Sequence, residues 1–177
     1  LCESVCIRNA YADGPVRIRE LHGWVCHEVP AFDDRGETAP GSGHRIAVVG
    51  AGPAGVTAAH FLARAGHSVE VFDVADRPGG ILNQAIPGFR LDDETVDREI
   101  GAMTATSITW RLGTSVGDDV SLERLEAEFD AVFVAPGLGA PRVLELPGDG
   151  PVSVEALEFL RANRAGGLST AGERVVV

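Results

Sequence analysis

The sequence predicts an α/β fold built around a parallel sheet. Short apolar runs alternate with segments of helical period from Arg45 onward. A glycine-rich turn joins the first such run to the first such helix. The composition is that of a globular chain: 177 residues, 45% hydrophobic, 23% charged and 6% aromatic, enough to bury a sizeable core.

Before that alternation stands a leader. Ile18, Leu21 and Val25 recur at helical spacing, and Pro15 suits the first turn of the helix they imply. The run 33–43 is polar and rich in Gly and Pro, which reads as a linker. Residues 45–49 then read as a buried strand, 54–65 as a helix closed by Gly66, and 68–72 as a second strand. After a glycine-rich loop, 93–103 reads as a helix with Val96, Ile100 and Met103 on one face. A short strand at 108–111 follows. A helix at 121–129, capped by Ser121, turns Leu122, Leu125 and Phe129 inward, and 131–135 is another buried strand. Val154, Leu157 and Leu160 mark a last helix, and Val175 to Val177 the opening of a further strand.

The balance of charge removes several functions. Net charge is −11, against the basic face that phosphate-backbone binding needs, so no nucleic-acid partner is expected. All fifteen basic residues are Arg, so lysine Schiff-base or P-loop chemistry is excluded within these residues. The longest apolar run, 46–62, is broken by Gly50, Gly52, Pro53 and Gly55, so no membrane span is expected. No signal peptide is visible, and the expected location is cytoplasmic. Three cysteines, an odd number, argue against a disulfide framework. No nucleophile or acid–base pair stands out, and the pairs Asp33-Asp34 and Asp92-Asp93 read as solvated or capping groups.

The chemistry concentrates in Gly50-Ala51-Gly52-Pro53-Ala54-Gly55, a GxGxxG between a strand and a helix. Gly50 permits the turn, Gly52 the approach of a pyrophosphate, and Gly55 close packing of helix on sheet. The helix N-terminus offers free N–H groups to the anion. Asp73 closes the second strand about where a carboxylate meets ribose hydroxyls, ~20 residues on. It would repel a ribose phosphate there, which disfavours NADP at this turn. Gly79 and Gly80 let a second loop approach the dinucleotide, and Arg77 and Arg90 are candidates for its pyrophosphate charge. FAD and NAD both satisfy this pattern. His44, His60 and His67 show no partner in the sequence. Cys26 reads as a buried apolar residue, and Trp24 and Trp110 as packing.

Val48 to Gly55, Val71-Phe72-Asp73, Arg77-Pro78-Gly79-Gly80-Ile81-Leu82, Ile86 to Leu91 and Phe129 to Ala135 together resemble a known group. It is the flavin module shared by the glutamate synthase small subunit and the N-terminal half of dihydropyrimidine dehydrogenase. With the leader, the likeness covers nearly the whole chain. The resemblance implies FAD at this turn, touching Gly50, Ala51, Gly52, Pro53, Ala54, Asp73, the loop to Ile81, Arg90 and the strand end near Val116. Two departures stand out. The acid is Asp73 where Glu is usual, and Ala135-Pro136-Gly137 replaces Ala-Thr-Gly, which removes a hydroxyl and an N–H.

By the same resemblance, Cys2 and Cys6 end a cysteine-rich leader that ligates 4Fe-4S clusters, with further ligands outside this chain. The position that supplies a non-cysteine ligand in the pyrimidine branch is His22. The loop 9–15 leans toward that branch. The implied organisation is an iron–sulfur segment at 1–36, a linker at 37–43, an incomplete Rossmann-like FAD domain at 44–150, and at 151–177 the connection to an NAD(P)H-binding domain. The implied activity passes electrons from NAD(P)H through FAD to iron–sulfur clusters and an electron-accepting subunit or domain. Two alternatives are a single-Rossmann NAD-dependent dehydrogenase and a non-enzymatic nucleotide-binding domain. The Gly79-Gly80 loop and the 86–91 stretch argue against the dehydrogenase.

Overall fold

A computed structural model describes residues 3–11, 14–28, 38–104, 108–139 and 154–167. The chain divides into two units, Leu1–Asp33 and Asp34–Val177. The first holds a 3-10 turn, Ile7–Ala10, and helix α1, Ile18–Glu28. Pro15 lies three residues ahead of α1 and outside its first turn. Residues 14–17 belong to neither helix nor strand. Cys26 and Trp24 are exposed on α1, so neither packs into a core within this unit.

The second unit alternates strand and helix. Its elements are β1 (Arg45–Val49), α2 (Pro53–Arg64), β2 (Ser68–Asp73), α3 (Ile81–Gln84), α4 (Asp93–Met103), β3 (Ile108–Leu112), α5 (Leu122–Glu128), β4 (Ala131–Val134) and α6 (Ala156–Arg164). The strands form one parallel sheet in the order β3-β2-β1-β4. This is the α/β architecture that the sequence predicts. Parallel strands need long crossovers, and α2, α4 and α5 supply them. Val175 to Val177, Asp33-Asp34 and the start of the 151–177 segment lie outside the described residues.

β1 is central, so both of its faces are covered and Ile46, Ala47 and Val48 are buried. On one face Val48, Val69 and Val71 pack against Ala59 and Ala63 of α2. α4 closes over α2 through Val56, Val96 and Ile100. His60, for which the sequence shows no partner, is buried and bonds through Nδ1 to the Met103 carbonyl, tying α2 to α4. On the other face Ala47 and Phe72 meet Leu125 and Phe129, with the two phenyl rings edge to face at 6.0 Å. Leu122, expected inward, is 40% exposed, because α5 is short and turns only its Leu125 side to the sheet. β4 is an edge strand on which Phe133 and Val134 remain exposed. Among the described residues no helix is long and apolar enough to cross a membrane.

Two carboxylates fasten element ends. Asp92 is the N-cap of α4 and accepts from the Thr95 N–H at 2.7 Å. Asp130 accepts from the Arg45 N–H at 2.7 Å and so pins the start of β1 to the start of β4. Those backbone donors hold both carboxyls below their ordinary range, with the Thr95 hydroxyl adding at Asp92 and His44 adding at Asp130. A depressed carboxyl stabilises the fold above its unfolded pKa and loses that contribution as pH falls through the lower folded value. Asp130→Asn is therefore expected to lower stability near neutrality and to flatten the acid limb as pH falls below the ordinary aspartate value of about 4. Circular dichroism across that range measures it, and an acid limb identical to the parent's would refute it.

Candidate functional site

The site is built at the C-terminal ends of β1 and β2, where helix α2 begins. Gly50 leaves β1 with φ +102°, a region costly for any residue with a side chain. Its N–H donates to the Phe72 carbonyl at 2.7 Å. A Cβ at Gly50 would stand 2.2 Å from the Ala135 carbonyl oxygen, and one at Gly55 would stand 1.8 Å from the Gly50 carbonyl oxygen. Those two glycines are demanded by the protein's own packing.

Gly52 is different. It is the N-cap of α2, with φ −73° and ψ −178°, and a Cβ there would meet nothing within 4 Å. A methyl group fits the fold at this position, so the space beside it is open to a ligand. α2 opens with Pro53 at its first position, no acidic residue in its first turn and no side-chain cap. Its first-turn N–H groups and positive dipole end therefore face that space without a competing carboxylate from α2 itself. Pro53 and Ala54 are exposed beside it.

A second loop closes on the first. The buried Gly79, at φ +123°, donates its N–H to the Ala51 carbonyl at 2.8 Å. A Cβ on Gly80 would stand 2.9 Å from the Gly52 Cα. The structure thus brings Gly50, Ala51, Gly52, Gly79 and Gly80 into one backbone-lined cradle, with the half-exposed Ile81 starting α3 at its rim. Asp73 anchors the turn from β2. One carboxylate oxygen accepts from the Ala51 N–H and the other from the Ala75 N–H at 2.7 Å. Each oxygen keeps a second lone pair, so the acid can hold the turn and still accept from a hydroxyl.

The two arginines lie elsewhere. Arg77 is held by α4, with Nη2 2.7 Å from Asp97 and Nη1 3.2 Å from Asp93. The Asp97 hydrogen bond is the main reason its guanidinium is held more firmly protonated than usual. Arg90 is exposed, with its guanidinium 5.9 Å from the Phe89 ring. Val116 bridges to Val120 and packs against the Phe72–Leu125 cluster. A cavity of about 300 Å³ lies on the α5 face, lined by Arg45, Glu70, Phe72, Arg111 and Phe129 among others. It includes none of the candidate cofactor- or metal-binding residues named from the sequence.

In the N-terminal unit, Cys6 is half-buried, and hydrogen bonds from the backbone at Val16 and then Arg8 pull its thiol below the ordinary value. His22 is exposed on α1. Cys2 lies outside the described residues. Among the described residues no three His, Cys, Asp or Glu side chains converge as a metal ion requires.

Sequence reasoning missed Asn83 and Arg164. Asn83 is 6% exposed and its Nδ2 donates to the Pro78 carbonyl, which shapes the Gly79-Gly80 loop from behind. Arg164 reaches the carbonyl of Asn83, on α3, from α6. Partners separated by 81 residues leave no periodic signal in one sequence.

Residues 44–177 match the family model described as pyridine nucleotide-disulphide oxidoreductase. The glutamate synthase [NADPH] small chain of Mycobacterium tuberculosis is 41% identical over 170 residues, covering 92% of this chain and 34% of that protein. The beta subunit of an NADP(+)-dependent formate dehydrogenase from Moorella thermoacetica is 36% identical over 171 residues, covering 84% and 24%. The chain thus spans about a third of the length of the first of these relatives. Among solved structures, FprA from Mycobacterium tuberculosis in complex with NADPH superposes with a TM-score of 0.63 at 24% identity, over 72% of this chain and 29% of that one. That likeness is one of fold.

Proposed function

This chain belongs to the pyridine nucleotide-disulphide oxidoreductase family, and from that premise we propose that it is the FAD-holding part of an NAD(P)H oxidoreductase of the glutamate synthase small-chain type. The observation that carries the reading is the cradle at Gly52, open where a Cβ would sit, faced by the bare N-terminus of α2 and closed by Gly79-Gly80. A pyrophosphate fits that donor set, which is backbone N–H and dipole with no acidic residue in the first turn of α2. Bound FAD would supply the exchange between hydride and single-electron transfer.

The chain's own residues bind and orient. Gly50, Ala51, Gly52, Pro53 and Ala54 face the pyrophosphate. Asp73 holds the ribose hydroxyls through its remaining lone pairs, and Gly79, Gly80 and Ile81 cover the adjoining stretch. Gly55 contributes by letting α2 approach β1. Arg77 acts from behind, as a strut between this loop and α4, and Arg90 and Val116, which stand apart from the cradle, would meet only more distant parts of the FAD. The organisation follows the sequence: an iron–sulfur segment at 1–36, a linker at 37–43, the FAD domain at 44–150 and the entry to an NAD(P)H domain at 151–177. Cys2, Cys6 and His22 would contribute to 4Fe-4S ligation together with residues outside this chain, and electrons would pass to a partner subunit or domain. The 41% identity to a glutamate synthase small chain supports the glutamate synthase branch.

An anaerobic absorption spectrum of the full-length protein tests the reading. Flavin bands at one FAD per chain, with a broad iron–sulfur shoulder, bleached by NADPH or NADH, are the expected result. Folded protein that takes up no flavin from excess FAD would sink it.

A further inference from the structure

Arg164 ends α6, yet its side chain is only 12% exposed. Its Nε–H donates to the Asn83 carbonyl at 3.1 Å, and Nη2 lies 2.8 Å from Oδ1 of Asp93. The same carboxylate oxygen takes Nη1 of Arg77 at 3.2 Å. Over Gly88 the fit is tighter still, since a Cβ there would stand 2.8 Å from Nη1 of Arg164. One guanidinium thus joins α6 to the end of α3, the turn at Gly88 and the N-terminus of α4. Through Asp93 it reaches Arg77, immediately ahead of Pro78-Gly79-Gly80. A planar fork with several donors suits this convergence of carboxylate and carbonyl, and a lysine could satisfy only part of it.

None of the residues of α6 is fully buried. A helix with no fully buried side chain gains less from apolar packing, so a specific polar tie weighs more in where it sits.

We propose that Arg164 is a positioning residue. It fixes the exit of α6, and with it the nicotinamide-nucleotide domain that follows, against the loop that faces the flavin. The proposal rests on the FAD reading above. Hydride transfer requires the two rings at near-contact distance, and a displacement of about 1 Å can slow such a step by up to about a hundredfold.

The test uses the full-length protein and anaerobic stopped-flow reduction. Arg164→Gln is expected to keep the parent's FAD content and its rate of reduction by dithionite. Reduction by NADPH or NADH should slow about tenfold. Arg164→Lys should recover part of that rate. Gly88→Ala reaches the same guanidinium from the opposite side by displacing its flexible tip, and should slow the reaction in the same direction. It decides alone if Arg164→Gln does not fold. Nucleotide-dependent reduction at the parent rate in the flavin-loaded variants would overturn the proposal. So would loss of FAD in step with the rate, because the tie would then serve only to hold the cofactor loop. A parent that binds no flavin overturns the FAD reading itself, and this proposal with it.

Discussion

A methyl group added at Gly55 is expected to lower the melting temperature by roughly 10 °C or more. The Cβ would lie 1.8 Å from the Gly50 carbonyl oxygen and 3.3 Å from a Val48 methyl. Neither neighbour is free to move. Gly50 is fixed by its N–H bond to Phe72 and by its φ of +102°, and Val48 is wholly buried in the central strand. α2 must therefore lift from the sheet, which loosens Ala59 and Ala63 from Val69 and Val71. Overpacking of this kind costs about 3 kcal/mol, near the upper end of its usual range. Thermal unfolding of Gly55→Ala against the parent measures it. A melting temperature within about 2 °C of the parent would mean that the helix can shift without loss, contrary to the packing described.

Gly52→Ala should do the opposite. Its backbone is extended and its Cβ position is empty, so the fold accommodates the methyl at little cost. Binding should not. The methyl stands where a pyrophosphate would approach the first turn of α2, and FAD affinity is expected to fall about a hundredfold, or about 2.7 kcal/mol. Titrating FAD into flavin-depleted full-length protein, followed by fluorescence quenching, reads this directly. Affinity within about threefold of the parent would place the pyrophosphate elsewhere. The two substitutions form a pair: the same added atom, three residues apart, is predicted to cost stability at one position and binding at the other.

The elements legible from the sequence are those with a local signal. β1, β2 and β4 announce themselves as apolar runs, and α2, α4 and α5 through apolar residues at helical spacing, with observed ends within a residue or two. The glycine turn was legible because each of its glycines answers a different local demand. α3 was not. It is four residues long and starts after Gly80 at φ +54°, so it has neither periodicity nor a capping side chain. Arg77 illustrates a second limit. A cation beside a glycine loop reads as an anion ligand, but Asp93 and Asp97, one helical turn apart on α4, lie closer to it than any feature of the local sequence reveals. Burial of His60 against Met103 and the convergence of Arg164 on Asn83 and Asp93 are likewise products of tertiary packing.

The free side of β4 has a practical consequence. Phe133 and Val134 are 43% and 58% exposed on a strand whose outer hydrogen-bonding groups pair with no other strand among the described residues, and Leu138 just beyond is 96% exposed. Such an edge carries none of the Lys, Pro or inward charge that usually discourages recruitment of another chain. For anyone handling these 177 residues alone, it marks the seam along which aggregation would begin, and the place where a single solubilising charge would do most good.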